Sequence, residues 1–140
     1  MGALISQVCI DCADPLRLAR WWAEVLGWEV DDPDDPADDE VWIAPRRDDD
    51  VGGLIFVRVP EGKVGKNRLH LDLRPTDGSS QPAELDRLLA LGARHVDIGQ
   101  GDASWFVLAD PDGNEICLLR STPDDLARER LAETLTADTA

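Results

Sequence analysis

The chain repeats one order of predicted elements twice, and this duplication constrains its fold more than any other feature. Each copy reads as a strand, a helix and three further strands, with apolar residues spaced first for a sheet and then for a helix. The same spacing separates Gln7 from His70 and Asp14 from Asp77, so these residues hold matching positions. Because each helix covers one face of its own sheet, the two uncovered faces can line a shared cleft. The sequence therefore predicts an α+β fold of two tandem βαβββ modules.

The length of 140 residues fits one domain. The repeat puts module one at about residues 4–60 and module two at about residues 66–120, which together form the domain 1–120. Thr122-Pro123 then begins a helix with an acidic first turn, as the helix dipole prefers. Its apolar residues are thinly spaced, at Leu126, Leu131 and Leu135. Residues 121–140 are therefore predicted to form a helix that is peripheral or packs on a partner.

The net charge of -15 narrows the choice of partners. It excludes nucleic acid, because phosphate binding needs clustered Lys and Arg, and it disfavours anionic membrane surfaces. No run approaches about 18 apolar residues, and the N-terminus lacks the basic and apolar regions of a signal peptide. We therefore expect a cytoplasmic protein that binds neither nucleic acid nor membrane.

The cysteines are Cys9, Cys12 and Cys117, which is too few for a disulfide framework or a zinc ribbon. Cys9 and Cys12 form a C-x-x-C, but a redox pair of this kind lies at a helix N-terminus. Both cysteines lie on a predicted strand, where residues three apart point to opposite faces. The sequence therefore argues against a redox pair.

Asn67–Arg74, near the middle of the chain, alternates strictly between apolar and polar residues. The apolar face carries Leu69, Leu71 and Leu73, and the polar face carries His70, Asp72 and Arg74. Leu4–Cys12 has a similar pattern in the first module. Its more polar face carries Gln7, Cys9 and Asp11. The two polar faces are predicted to line the cleft, with the leucines under the helices.

Caps and turns set the ends of the other elements. Asp14-Pro15 begins the first helix and Gly27 ends it, while Pro82 begins the second helix and Gly92 ends it. The remaining strands are predicted at Trp28–Val30, Val41–Ala44, Gly53–Val59, Arg94–Ile98, Ser104–Ala109 and Glu115–Arg120. Turns are predicted at residues 46–50 and at Asp110–Asn114, where Pro and Gly favour a tight connection.

With these elements in hand, the chain resembles a known family. Lys66–Leu73, Asp110–Glu115 and the duplicated element order resemble the glyoxalase/bleomycin-resistance/dioxygenase group, the vicinal oxygen chelate superfamily, and within it the small bacterial glyoxalase-like domains. The resemblance spans about residues 4–120. It implies that the modules form an open barrel around their cleft and that the chain is a homodimer. Because this superfamily holds lyases, isomerases, dioxygenases, thiol transferases and metal-free drug-binding proteins, the resemblance selects no single reaction.

In metal-using members of this superfamily, four inward residues hold a divalent ion. The resemblance puts them at Gln7, at His70, at Cys117 where an acid is usual, and on Gly53–Val59, which offers no ligand atom. Zinc would accept His and Cys ligands, whereas magnesium prefers oxygen. Asp72 is expected to be too far along an extended strand to hold the ring of His70. We therefore expect no tightly held metal, with Gln7, His70 and Cys117 as the candidate ligands if a divalent ion binds.

His70 is the candidate general base, with Asp72 or Asp11 to set its charge. His70 and Asp72 are the predicted catalytic residues. Arg74 is expected to pair with Asp72 or to meet a carboxylate on a ligand.

Aromatic residues on the strands are candidates for the walls of a binding pocket, although core packing is the default for any one of them. One residue of each adjacent strand pair must face the cleft, which brings in Phe56 and Trp105. The predicted ligand-binding residues are Gln7, Cys9, Asp11, Phe56, Arg74, Trp105 and Cys117.

These observations lead to two hypotheses about function. The first is a glyoxalase-like protein that binds a small organic molecule in the cleft between its modules. The alternative is a metal-dependent lyase, isomerase or dioxygenase of the same superfamily, with zinc or another divalent ion. The sequence does not name the substrate.

Overall fold

The computed structural model describes residues 1–45 and 52–139 of the chain. The turn predicted at residues 46–50 lies outside them. The chain divides into two compact units, Met1–Val64 and Gly65–Ala140. Each unit contains one four-stranded mixed sheet and follows the order βαβββ. The α+β fold with two such modules, predicted from the duplication, is therefore confirmed.

The first unit contains β1 (Val8–Cys12), α1 (Pro15–Leu26), β2 (Glu29–Asp31), β3 (Glu40–Ala44) and β4 (Leu54–Arg58). Its strands are ordered β1-β4-β3-β2. β1 runs parallel to β4, and the other neighbours are antiparallel. The long connection between β1 and β4 is possible because α1 and the β2–β3 hairpin lie between them in the chain.

The cap residues fix α1 where the sequence predicted it. The Asp14 side chain accepts a hydrogen bond from the Arg17 backbone N–H at 3.2 Å, and Pro15 occupies the first helical position. Gly27 ends the helix with a φ of 66°, a left-handed conformation that glycine adopts without steric cost.

The core of the first unit lies between α1 and its sheet. Val41 and Ile43 of β3 share a face with Phe56 of β4, because Val41 pairs with Phe56 in the antiparallel register. These three side chains and Trp22 of α1 are at most 1% exposed. Apolar burial at this face holds the helix on the sheet.

The second unit has the strand order β5-β8-β7-β6, with β5 parallel to β8 and the other neighbours antiparallel. Its elements are β5 (Leu71–Leu73), α2 (Gln81–Ala90), β6 (Arg94–His95), β7 (Phe106–Ala109), β8 (Glu115–Leu118) and α3 (Pro123–Asp138). The parallel β5–β8 pair matches the β1–β4 pair of the first unit, as a duplication requires.

A buried glutamine attaches α2 to the sheet of the second unit. Gln81 lies in the first turn of the helix, and its Nε2 donates to the Leu118 carbonyl at 3.0 Å and to the Ser104 carbonyl at 2.9 Å. The core side chains Leu88, Leu108 and Leu118 are fully buried. The helix begins at Gln81, one residue before the predicted Pro82, because the Ser80 side chain caps it.

The C-terminal helix α3 begins with two reciprocal hydrogen bonds. The Asp125 N–H donates to Thr122 Oγ1 at 3.1 Å, and the Thr122 N–H donates to Asp125 Oδ2 at 3.0 Å. The Asp124 N–H also donates to Asp77 Oδ1 at 2.8 Å. None of the described residues of this helix is buried, and Leu131 and Leu135 are 61% and 58% exposed.

The opening strand of each unit is shorter than predicted. β1 begins at Val8, so Leu4 precedes it and is 96% exposed, while β5 begins at Leu71, so Leu69 precedes it and is 92% exposed. The prediction that Leu69 lies under a helix is therefore wrong. A strand extends only as far as a neighbouring strand is present to pair with it. The neighbour of β5 is β8, which begins at Glu115 after a turn. The alternation of apolar and polar residues in the sequence therefore continues past the last residue that pairs with a partner strand.

Candidate functional site

The parallel pairing of β5 and β8 brings two of the predicted site residues together. Asp72 and Cys117 are direct partners in the register, so their side chains leave the sheet on the same face. His70 lies two residues before Asp72, just outside the strand. The opposite face of β8 carries Ile116 and Leu118, which are buried in the core. We call His70, Asp72 and Cys117 the His70 cluster.

The side chains of the His70 cluster are in mutual reach. His70 Nδ1 lies 3.0 Å from Asp72 Oδ1 and 3.9 Å from Cys117 Sγ. One ligand atom from each of the three lies within 4.8 Å of the other two. The prediction that Asp72 would be too far from the His70 ring is wrong, because the chain bends at Arg68 and Leu69 and His70 is not held in the strand.

The cluster is open to solvent at its polar end. The side chains of His70 and Asp72 are 38% and 48% exposed, whereas Cys117 is 7% exposed. A solvent-borne molecule can therefore reach the imidazole and the carboxylate, with the sulfur beneath them. Such an arrangement suits ligand binding better than core packing.

The environment of Cys117 favours its neutral thiol. Burial raises the pKa of Cys117 above its ordinary value, and the Asp72 carboxylate raises it further by its charge and by a hydrogen bond. The positive charge of Lys66 opposes these effects more weakly. In the absence of a bound cation, Cys117 is a poor nucleophile at neutral pH.

Glu115 supports the cluster from β8, a role that sequence reasoning missed. Its Oε2 accepts a hydrogen bond from the Asn67 N–H at 3.0 Å. This bond ties the segment that leads into His70 to the strand that carries Cys117. The available signal was alternation, since Glu115 lies two residues before Cys117 and therefore on the same face.

The motif Asp110–Asn114 acts through the backbone. Asp110 is fully buried, and its carboxylate accepts hydrogen bonds from the N–H groups of Asp112 and Asn114 at 2.9 Å and from Asn114 Nδ2 at 3.0 Å. These bonds shape the turn between β7 and β8, and Gly113 supplies a φ of 87°. The turn sets the start of β8 and hence the position of Cys117.

Arg74 and Trp105, two further predicted site residues of the second unit, are not among the residues of the His70 cluster. Arg74 Nη1 donates to the Ser121 carbonyl at 2.6 Å, which replaces the expected pairing with Asp72. Trp105 precedes β7 and is 42% exposed, next to Ser104, whose carbonyl accepts from Gln81. Trp105 is therefore accessible, as a pocket wall requires.

The first unit holds the other predicted site residues. Cys9 and Asp11 are exposed on one face of β1. Gln7 continues the same alternating pattern but lies just before the strand. Cys12 is buried on the other face, as the argument against a redox pair requires. The convergence of Gln7 with His70 stays a prediction.

Phe56 does not suit the ligand-binding role assigned to it. It is fully buried on the face of β4 that α1 covers, because it pairs with Val41 in the register. Its neighbour Ile55 points to the other face instead. The register of β4 determines which of its residues face α1. The unbroken apolar run of β4 did not reveal this register.

A separate pocket of about 640 Å³ lies in the loop after β6 of the second unit. It is lined by His95, Val96, Asp97, Gly99, Gln100 and Gly101. The Gly99 N–H donates to Asp97 Oδ1 and the Ile98 N–H donates to Gln100 Oε1, so these polar groups serve the loop itself. None of the predicted site residues lines this pocket.

The Glyoxalase-like domain family matches residues 7–119, which is more than half of the chain. The chain belongs to this family. It is thereby a member of the vicinal oxygen chelate superfamily, as the motifs and the element order predicted. No curated protein matches this glyoxalase-like chain by sequence.

Solved structures with a similar fold include three proteins of this superfamily. The trypanothione-dependent glyoxalase I of Leishmania major has 17% identity and a TM-score of 0.59, and the match covers 99% of this chain and 100% of that chain. The fosfomycin resistance protein FosX of Mesorhizobium loti has 17% identity and a TM-score of 0.58, with 94% and 99% covered. A FosX mutant of Listeria monocytogenes, in complex with Mn(II) and 1S,2S-dihydroxypropylphosphonic acid, has 13% identity and a TM-score of 0.59, with 89% and 95% covered. At these identities the likeness shows the fold alone.

Within residues 1–45 and 52–139, no helix of this glyoxalase-like chain is both long and apolar enough to cross a membrane.

Proposed function

We propose that this glyoxalase-like protein binds a small organic molecule at the His70 cluster and offers it a proton acceptor. The observation that carries the proposal is the 3.0 Å contact between His70 Nδ1 and Asp72 Oδ1 in a half-exposed setting. Polar groups that are few, oriented and accessible are typical of small-molecule sites.

The contact determines which ring nitrogen meets the ligand. When the Nδ1–H of His70 donates to Asp72, the other nitrogen, Nε2, carries the free lone pair. Nε2 can then accept a hydrogen bond or a proton from a bound molecule. The Asp72 carboxylate stabilises the imidazolium that would result, as the acid of a catalytic His–Asp pair does. The pair therefore supports either binding alone or proton transfer.

A metal-dependent enzyme is the second candidate, favoured by the chemistry of the donor set. His70, Asp72 and Cys117 supply nitrogen, oxygen and sulfur within 4.8 Å of one another, and a borderline-soft divalent ion accepts all three. Bound there, such an ion would polarise an oxygen atom of the substrate. The fit is good enough to keep a metal as a candidate cofactor.

The proposal is tested with a panel of small aromatic and carbonyl compounds, screened by thermal shift in the presence of EDTA. Compounds that raise the melting temperature of the wild type should lose their effect on His70→Ala. The matched control is His95→Ala, which removes the other histidine of the chain, on β6, and should keep the effect. Equal shifts for wild type and His70→Ala would reject the His70 cluster as the binding site. Compounds that act only without EDTA would favour the metal-dependent candidate.

We further propose that the chain forms a homodimer through α3. The support is the exposure of Leu131 and Leu135 on a helix with no buried residue among those described. A second copy of the chain offers the same two leucines, so a symmetric contact would bury four of them.

A further inference from the structure

We propose that Lys66 selects the ligand of the His70 cluster, and that this ligand is an organic carboxylate that also carries a separate hydroxyl group. The inference rests on the proposed function and names the chemical class of the molecule bound there. Lys66 holds the carboxylate, and Nε2 of His70 accepts a hydrogen bond from the hydroxyl. Both residues belong to the second unit.

The segment before β5 is the most basic part of a strongly acidic chain. The chain has 14 Lys and Arg residues against 29 Asp and Glu residues. Between Glu61 and Asp72 there is no acidic residue, and this stretch holds more cations than any other between two consecutive acids: Lys63, Lys66 and Arg68. An anion is therefore repelled by the net charge of the chain and attracted locally by this segment.

The ammonium group of Lys66 is available to a ligand. The side chain is exposed, and its Nζ donates to the carbonyl of the adjacent Asn67 at 3.3 Å, a long bond to a neutral group. Among the residues that the structure describes, Lys66 forms no ion pair. By contrast, four arginines pair with carboxylates: Arg20, Arg58, Arg87 and Arg128. Lys66 can therefore bind a carboxylate from solution.

Lys66 lies next to the backbone contact that ties its segment to β8. The Asn67 N–H donates to Glu115 Oε2 at 3.0 Å, and β8 also carries Cys117. Burial raises the pKa of Cys117, and the positive charge of Lys66 acts in the opposite direction. Such an effect requires the ammonium group to lie within electrostatic reach of the thiol. Lys66 and His70 therefore border the same solvent-accessible site.

The acids beside this site are engaged by other groups. Asp72 Oδ1 lies 3.0 Å from His70 Nδ1, and Glu115 accepts the hydrogen bond from the Asn67 N–H. A bound carboxylate therefore meets the ammonium group without displacing an internal partner. The charges of the two acids still oppose an anion, so the attraction must come from direct contact with Lys66.

Lys66 and His70 require different groups on the ligand. The ammonium group donates hydrogen bonds, whereas Nε2 of neutral His70 accepts one when Nδ1–H donates to Asp72. A carboxylate has no proton to donate, so a simple acid satisfies Lys66 alone. A hydroxyl group on the same molecule satisfies Nε2. A hydroxybenzoate carries both groups on a rigid ring, which limits the entropy that is lost on binding.

The experiment is an NMR titration of the full-length protein in EDTA at neutral pH with meta-hydroxybenzoate, para-hydroxybenzoate, their amides and benzoate. We expect one hydroxybenzoate to bind at least about fivefold more tightly than its amide and than benzoate. Raised salt should weaken binding of the acid and leave binding of the amide unchanged.

Two charge variants assign the preference to one residue. Lys66→Gln should reduce the preference for the acid over its amide to within about twofold. The matched control is Arg94→Gln, which also removes one positive charge but lies on β6, at the opposite edge of the same sheet. It should keep the preference. Thermal unfolding of each variant shows whether it is folded, and the salt dependence of the wild type is a test that needs no variant.

Several outcomes would overturn the inference: no hydroxybenzoate binding by the wild type, equal affinities for the acid and its amide, binding of the acid that ignores salt, or a preference that survives in Lys66→Gln. The proposed function would survive each of them if neutral compounds still depend on His70 in the thermal-shift screen. Hydroxybenzoate binding that is unchanged in His70→Ala would overturn both the inference and the site on which it rests.

Discussion

At the scale of single residues, Asp110 acts on the cluster without touching it. Its buried carboxylate accepts three hydrogen bonds from the turn that precedes β8. Cys117 lies on that strand, so the turn helps to determine where the sulfur meets Asp72. The motif Asp110–Asn114, which contributes to the family resemblance, therefore positions β8. Its buried acid accepts hydrogen bonds from within the turn.

We predict that Asp110→Ala lowers the free energy of unfolding by about 2–5 kcal/mol, because it leaves turn N–H groups without their acceptor. Denaturation by urea measures the change. Asp86→Ala, an exposed substitution on α2, is the matched control and should change stability by no more than about 0.5 kcal/mol. A loss for Asp110→Ala as small as that of the control would show that the turn does not depend on this carboxylate.

At the scale of elements, the N-terminal capping box of α3 links helix stability to pH. The Thr122 N–H and hydroxyl favour the ionised carboxylate, so they hold the pKa of Asp125 below its usual range. A depressed carboxyl pKa contributes stability that is present above the unfolded value and lost as the pH falls through the folded value.

We therefore expect the first turn of α3 to fray in acid, below the usual pKa range of Asp. Carboxyl-carbon NMR shifts of Asp125, together with amide exchange in α3, follow the transition. In Asp125→Asn the charge is absent, so the protection of first-turn amides, taken as the exchange rate relative to its intrinsic value at each pH, should no longer change in this range. The same change of amide protection with pH in the variant and the wild type would contradict this link.

The bounds of α1 and the start of α3 could be predicted from the sequence, but the starts of the two opening strands could not. Asp14 and Gly27 bound α1, and Thr122 begins α3, because a cap is a local interaction between near neighbours. Leu69 and Leu4 continue the alternation of their strands and yet lie outside them. Where a strand ends depends on a partner distant in sequence, which periodicity does not report.

The same distinction applies to the candidate site. Alternation predicted that His70 and Asp72 share a face, and the pairing with β8 adds Cys117. It did not predict the direct contact between His70 and Asp72, which arises from a bend before the strand. Nor did it reveal that Phe56 lies under α1, because both faces of β4 are apolar.

At the scale of the whole molecule, the duplicated order of elements identified the superfamily, whereas assembly depends on the segment outside the repeat. The helix α3 follows the second βαβββ module and exposes Leu131 and Leu135. A net charge of -15 opposes the association of two copies. The apolar contact between the leucines must therefore outweigh this repulsion at the interface.

We predict that the chain has the mass of two copies in light scattering at micromolar concentration. The double variant Leu131→Ser with Leu135→Ser should have the mass of one copy. Glu133→Gln alters the opposite side of the same helix and should remain a dimer. A wild-type mass of one chain under these conditions would reject the assembly.

In the metal-free protein, Asp72 is expected to hold the His70 ring so that Nε2 accepts a hydrogen bond. Long-range proton–nitrogen NMR of the histidine rings, in chelator at neutral pH, tests it most directly, with His95 as the internal reference. We predict that neutral His70 carries its proton on Nδ1 in the wild type and that this preference is lost in Asp72→Asn. A proton on Nε2 in the wild type, or the same tautomer in both proteins, would show that Asp72 does not orient the His70 ring in this way.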